Sequence, residues 1–333
     1  IRRPPRSTLF PYTTLFRSNE FNLPFEFNVT SDGTTSSNKT FNVVVVDSIP
    51  VATDKIVEVN EDSSVVIRIS NDEFKDGKIT INGNEINSGS KADIFDPNDG
   101  SKKIGDLTNN GNGTLTFVPI EDYSNYAAKP SFTYTVEDFD GDTATATVEI
   151  DVKPITDAPT VSVNNVSTTE DNGNTAEGTH SIALDLTLPS LSKDQTDKNG
   201  VTGDNPERNG YIELKFTNGS SVNGAVLEKA DGADLATISN HDQTIKIYIS
   251  DLGANYHHSG LDPVADGAIQ LTQAEYAALR IIHAEDNDRD ISTNIKVTSY
   301  EVDDGGVPLA GVAGATDDKT MTVKIHPATD DIS

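Results

Sequence analysis

Cysteine is absent from the 333 residues, so neither a disulfide nor a thiolate metal site is available. A secreted domain without disulfides must be held by a sizeable apolar core or by bound metal. Basic residues are scarce: 25 Lys and Arg stand against 53 Asp and Glu, for a net charge of −28. Such a surface repels nucleic acid and anionic membranes, which need Lys and Arg to neutralise phosphates. It concentrates divalent cations instead. No apolar run approaches the roughly 18–20 residues of a membrane-spanning helix, and no membrane insertion is expected. Aromatic residues make up only 6% of the chain. Few aromatics with excess charge is a composition of disordered chains, but the regular apolar alternation below argues for folded structure. Gly-x-Ser-x-Gly, His-Glu-x-x-His and phosphate-binding loops are missing too. Paired carboxylates carry no weight as a hydrolase signal among so many acids. The chain reads as non-enzymatic.

What is present is mostly strand. From Thr143 to Val152 the residues alternate without error, with Ala144, Ala146, Val148, Ile150 and Val152 on one face and Thr or acid on the other. That is the pattern of a strand with one buried and one wet face. Ile182, Leu184, Leu186 and Leu188 share the period, as do Ile212, Leu214 and Phe216, then Ile245, Ile247 and Ile249, then Met321, Val323 and Ile325. Turn pairs such as Asn82-Gly83, Asn110-Gly111 and Asp231-Gly232 fall between them. Short alternating strands with Gly/Asn turns predict antiparallel β-sandwiches. One short helix is expected, where Thr272-Gln-Ala-Glu275 fits a capping box ahead of Tyr276.

An acidic phrase recurs. Phe132-Thr-Tyr-Thr-Val-Glu-Asp-Phe-Asp-Gly-Asp142 is followed by a strand and Lys153-Pro-Ile-Thr-Asp157, while Val297-Thr-Ser-Tyr-Glu-Val-Asp-Asp-Gly305 is followed by a strand and His326-Pro-Ala-Thr-Asp330. A weaker copy runs from Phe25-Glu-Phe-Asn-Val29 to Val46-Asp-Ser-Ile-Pro50, and its Phe25-Glu-Phe aligns with Phe132-Thr-Tyr. The repeat divides the chain. Residues 19–50 are expected to be the last strands of an upstream repeat, 51–156 a complete sandwich repeat, and 157–333 a longer relative expanded by the polar stretch Ser190–Gly210. Prolines near the joints fix φ and remove a donor, which makes the joints stiff. Residues 1–18 hold four Arg and no acid. They resemble translated sequencing-adapter contamination, with no apolar core or cleavage site of a signal peptide. The natural protein is therefore expected to continue upstream of Asn19.

The acids point to a hard cation. Calcium takes six to eight oxygens from carboxylates, carbonyls and water. Asp138, Asp140 and Asp142 are spaced by two and share a face in an extended segment. Each repeat opens on an acidic pair, Glu61-Asp62 and Glu170-Asp171, the joint adds Asp157, and Asp303-Asp304 repeats part of the closing cluster. In a head-to-tail array, one repeat's closing loop, the joint and the next repeat's opening pair are expected to converge on Ca2+, since like charges this close repel unless an ion neutralises them. An EF-hand is excluded: the loop counted from Asp138 has Thr143 where glycine is required.

The run Gly113-Thr-Leu-Thr-Phe-Val-Pro-Ile-Glu-Asp-Tyr123, then Phe132 to Gly141, a strand and Pro154-Ile-Thr-Asp157-Ala-Pro159 resembles the cadherin-like and immunoglobulin-like tandem repeats of giant bacterial adhesins of the type I-secreted, RTX class. The resemblance implies calcium-stiffened extender modules at the bacterial cell surface, engaged in adhesion and biofilm. It assigns the metal to Asp157, to Glu61-Asp62 and Glu170-Asp171, and to Asp138, Asp140 and Asp142. Asp303-Asp-Gly-Gly306 departs from the pattern, and glycine-rich RTX nonapeptides are absent. The expected partners are neighbouring repeats, with surface glycans or host and biofilm polymers as further candidates. Two other readings stand beside this one. Residues 157–330 can be read as a glycan- or peptide-binding module, with Tyr211, Tyr248, Tyr256 and Tyr276 as a stacking platform and His257-His258 in a surface loop. The chain can also be read as an accessory region of a secreted polysaccharide-degrading enzyme.

Overall fold

A computed structural model describes residues 20–46, 49–69, 79–125, 129–137, 141–170, 180–192, 194, 205–217, 224–239, 243–283 and 288–327. The first strands form a hairpin of β1 (Glu20–Phe27) with β4 (Lys39–Val46), with β2 (Thr30–Ser31) and β3 (Thr34–Thr35) between them.

The next unit holds β5 (Lys55–Asn60), β6 (Val65–Arg68), β7 (Ile79–Ile81), β8 (Asn84–Ile86), β9 (Lys91–Phe95), β10 (Lys103–Asn109), β11 (Thr114–Pro119), β12 (Ser131–Glu137) and β13 (Thr143–Lys153). They make two sheets, ordered β5-β13-β12-β7-β8 and β6-β11-β10-β9. Alternation explains the core. Phe132, Tyr134 and Val136 on β12, with Val148, Ile150 and Val152 on β13, face Ile67, Leu107, Leu115 and Phe117 of the other sheet, all at most 2% exposed. Each such side chain contributes about 1.5–3 kcal/mol on burial. Asn82-Gly83, with φ of 48° and 80°, closes the β7–β8 hairpin in the left-handed geometry that Asn-Gly allows.

The last unit holds β14 (Val166–Thr169), β15 (His180–Ala183), β16 (Glu207–Phe216), β17 (Val226–Glu228), β18 (Asp234–Thr237), β19 (Thr244–Ile249), β20 (Ile269–Leu271), α1 (Gln273–Ala277), β21 (Arg280–His283), β22 (Ile291–Glu301) and β23 (Ala315–His326). Its sheets run β14-β23-β22-β16-β19-β20 and β15-β21-β17-β18. The larger sheet begins as in the preceding unit, with the first, last, next-to-last and third strands in that order, but here β17 and β18 enter the smaller sheet before β19 and β20 complete the larger one. The two units have separate cores. The fold is all-β, as tandem sandwiches. Antiparallel pairing dominates, but β5 runs parallel to β13 and β14 parallel to β23. The first strand of each unit thus lies beside the last and points the same way.

The expected helix is present with both capping-box bonds, between Thr272 and Glu275. It carries the chain from β20 in one sheet to β21 in the other. The Ile182–Leu188 alternation does not give one long strand. Leu184 and Leu186 are buried as its period predicts, but β15 ends at Ala183 and Asp185 takes a φ of 48°, which breaks the ladder.

Candidate metal centre

The parallel pairing decides which acids meet. Asn60 lies opposite Lys153, and the Glu61 amide donates to the Lys153 carbonyl at 3.0 Å. Glu61-Asp62 therefore sits at the end of its sandwich where the chain leaves for the next one. The turn after β11 brings Asp122 to the same end, where its amide donates to Asp62 Oδ1 at 2.9 Å. Asp62 and Asp122 both hold positive φ, 55° and 56°, a region that Asp enters more readily than most residues. Carboxylate oxygens of Asp62, Asp122 and the joint residue Asp157 all lie within 4.8 Å of one another.

The following sandwich meets this group with acids of its own. Glu207, at the start of β16, stands directly opposite Glu301, at the end of β22. Like charges in that position repel, and here they are 1% and 2% exposed. Among the described residues, no donor reaches Glu207 Oε2 or either oxygen of Glu301. The close contact between the two carboxyls is a hydrogen bond only when one of them carries a proton. Burial first, then the charges of Glu61, Glu207 and Asp194, push the Glu301 carboxyl far above its ordinary range. Burial and the charge of Asp157 push Glu207 up as well. Glu61, from the preceding sandwich, thus acts on Glu301 across the seam. Asp194, 3% exposed, joins the group through its carbonyl, which accepts from the Glu207 amide at 2.8 Å.

The joint itself is gripped from both sides. Glu61 Oε1 accepts from the Ile155 amide and Glu207 Oε1 from the Asp157 amide. Across the seam, Ser124 Oγ donates to Asn205 Oδ1 at 3.1 Å, and Thr156 Oγ1 donates to the Ala313 carbonyl at 2.9 Å. The donor set is all oxygen and anionic. Asp122 is buried, Asp157 half-buried and Asp62 exposed, so the group is sheltered on the protein side and open to an ion from solvent. It suits a hard divalent ion and not a soft one.

Of the acids singled out in the sequence, Glu61, Asp62 and Asp157 come together at this seam. Asp138, Asp140 and Asp171 lie outside the described residues. Asp142 does not join the cluster, because it precedes Thr143 at the opposite end of β13, about 30–35 Å from Lys153 at strand rise. Glu170 repeats the Glu61 contact, its amide donating to the His326 carbonyl at 2.9 Å, and so stands at the far end of the last sandwich. Asp303 turns its Oδ1 to the amides of Gly305 and Val307, both at 2.9 Å, and Asp304 is exposed. The expected convergence thus has its polarity reversed. The opening pair, together with Asp122, meets the joint, the start of β16 and the end of β22 of the following unit. Sequence reasoning does not find Asp122, Asp194, Glu207 or Glu301. Asp122 has a signal, since Glu121-Asp122 recurs as Glu285-Asp286. Asp194 and Glu207 lie in the polar stretch Ser190–Gly210, which serves the seam.

The tyrosines and histidines do not form a binding platform. Tyr211, Tyr256 and Tyr276 are buried and Tyr248 is half-buried. His257 is buried, not in a surface loop: its Nε2 accepts from the Ile249 amide at 3.1 Å, leaving Nδ1 to donate to the Gly210 carbonyl at 2.8 Å. His283 is buried on β21.

Residues 47–151 match the model of a bacterial Ig domain, so this stretch is an Ig-like repeat. No curated protein matches the chain. Among solved structures, it is similar to murine CEACAM1b, at 12% identity and a TM-score of 0.21, over 81% of this chain and 96% of that one. It is also similar to CfaE, the adhesive subunit of the CFA/I fimbria of enterotoxigenic Escherichia coli, at 10% identity and a TM-score of 0.27, over 84% and 99%. A third likeness is human mucin-like protocadherin EC1-2, at 10% identity and a TM-score of 0.25, over 84% and 98%. At these identities and scores the likenesses say nothing of what this chain does.

Proposed function

We propose that the chain is a non-catalytic extender region of a secreted bacterial surface adhesin, in which Ca2+ stiffens the joints between β-sandwich repeats. The observation that carries this is the meeting of buried carboxylates from both sandwiches at one seam, with Glu207 and Glu301 opposed and no donor for Glu301 among the described residues. Asp62, Asp122 and Asp157 would hold the ion, with Glu61, Asp194, Glu207 and Glu301 around them. The ion supplies positive charge that neutralises the mutual repulsion of these groups.

The functional consequence is mechanical. A joint free to bend randomises the direction of each module. Carboxylates from both sides held to one cation fix that direction and extend reach. Repulsion in the absence of the ion opens the seam. Surface display and type I secretion fit the acidic composition and the Ig-like repeat, and neighbouring repeats are the immediate partners.

Small-angle scattering of the whole chain tests this. Millimolar calcium is expected to lengthen and narrow the distribution of particle dimensions, and calorimetric titration to give saturable binding. Asp122→Asn should weaken that binding about tenfold or more while leaving both sandwiches folded. Identical scattering and melting in calcium and in chelator would remove the proposal.

A further inference from the structure

We infer that the Phe25, Phe27, Phe41 and Val43 face of the β1–β4 hairpin is the inner face of half an Ig-type sandwich. It docks a four-stranded sheet with aliphatic inward side chains, of the kind formed by β6-β11-β10-β9. This inference is independent of the cation at the joint.

The hairpin is the counterpart of β12–β13 in register as well as in sequence. Phe25 pairs with Phe41 and Phe132 pairs with Val148, the same separation along the chain in both hairpins. In the alignment of Phe25 with Phe132, Phe27 matches Tyr134, Phe41 matches Val148 and Val43 matches Ile150. The matched positions Phe132, Tyr134, Val148 and Ile150 are all at most 2% exposed beneath the second sheet. On the hairpin, Phe25 is 47%, Phe27 49%, Phe41 52% and Val43 39% exposed. The aromatic rings are already gathered, Phe25 stacked on Phe41 at 5.2 Å and Phe27 edge-on to Phe41 at 6.3 Å. Asn22, Pro24, Glu26, Thr40 and Asn42 occupy the other face together with Val44, so the large aromatic residues are confined to one side and mark it for burial. A two-stranded hairpin alone is marginal in water and needs that cover. A second copy of the chain is a poor occupant. Two short hairpin faces fall well below the roughly 800 Å² per partner of a stable interface, and each copy carries a net charge of −28.

The test is a swap within the chain. Phe25–Val45 replaces Phe132–Val152, a segment of equal length, so the hairpin is offered the sheet β6-β11-β10-β9. A matching chimera carries Phe25→Ser and Phe41→Ser. The first chimera is expected to keep the Leu115 and Phe117 amides protected from hydrogen exchange to within tenfold of the parent. The doubly substituted one is expected to lose that protection. Loss in both chimeras, or retention in both, overturns the inference. Sedimentation of the parent chain supplies a second arm. A dimer dispersed by Phe25→Ser and Phe41→Ser would show that a second copy covers the face, and would equally overturn it.

Discussion

Replacing Glu301 by glutamine separates the cost of the seam from its use. Without a cation, the folded chain must bury Glu301 among Glu61, Glu207 and Asp194, and the carboxyl stays protonated at neutral pH. Its ordinary value is 4.5. At 1.36 kcal/mol per unit, holding the proton at pH 7 costs about 3 kcal/mol, however far above 7 the folded value lies. Glutamine has the same shape and no charge, so chelated E301Q should be more stable than the parent by up to about 3 kcal/mol. At roughly 2–4 °C per kcal/mol for a protein of this size, Tm rises by about 6–12 °C. Calcium narrows the difference to about 1.7 kcal/mol. At a hundred times its Kd it adds about 2.7 kcal/mol to the parent, whereas a tenfold loss of affinity leaves the variant about 1.4 kcal/mol at the same concentration. Scanning calorimetry of both proteins at pH 7, in chelator and in calcium, measures all four values. A chelated E301Q that melts below the parent yet keeps the full calcium shift would refute the placement of Glu301 in the site.

Two further outcomes follow from the same structure. Glu207 and Glu301 bind protons more tightly folded than unfolded, so the chelated chain loses stability as pH rises above about 4.5. His257 has the opposite sign. Burial lowers it from 6.5 to about 4, and stability is lost as pH falls from 6.5 toward 4. Burial lowers His258 as well, so two histidines offset the two glutamates below pH 6.5, and the glutamates alone act above it. Chelated Tm should therefore fall as pH rises from about 6.5 to 8, with calcium lifting that side. A chelated Tm climbing over that range would contradict it. At the entrance to the first sandwich, Tyr134 Oη donates to the Thr53 carbonyl at 2.9 Å and accepts from its amide at 3.0 Å. Tyr134→Phe should cost about 1–2 kcal/mol in urea unfolding, and a loss under about 0.3 kcal/mol would show that the bonds are dispensable.

The fold was legible because its strands are half-buried, and half-burial writes a period of two into the sequence. Thr143–Lys153 and Met321–Ile325 show themselves by that alternation. The same signal fails at Leu184–Leu188, where burial continues after the ladder has ended, since alternation reports which side chains are inside and not which amides are paired. The candidate metal centre was legible only in part. Glu61, Asp62 and Asp157 stand out as neighbours in sequence or as part of a joint. Glu207 and Glu301 are far apart along the chain and become a pair only through the β16–β22 register. Nothing local marks a glutamate at a strand end as buried.

The reversed polarity has a single physical cause. Because the first strand of each sandwich runs parallel to its last, the acidic pair that opens a repeat in sequence closes it in space. Asp142, just before β13, stands at the opposite end of its sandwich from Lys153, on the side of the preceding joint and not the following one. The two units can be superposed by register, since Lys153 and His326 each stand opposite the last residue of the parallel first strand. Phe132 opposite Val148 then corresponds to Thr293 opposite Met321, which puts Asp140 at the sequence position of Glu301. The run from Asp138 to Asp142 is thus the counterpart, by position in sequence, of the group that Glu301 brings to its own upstream seam. Among the described residues, each unit thus carries unlike acids at its two ends, Glu61-Asp62 and Asp142 in one, Glu170 and Glu301 in the other. On the proposed function, a divalent ion held between Asp62, Asp122 and Asp157 beside Glu207 and Glu301 of the following unit would favour the head-to-tail order, because only that order brings the unlike acidic ends face to face.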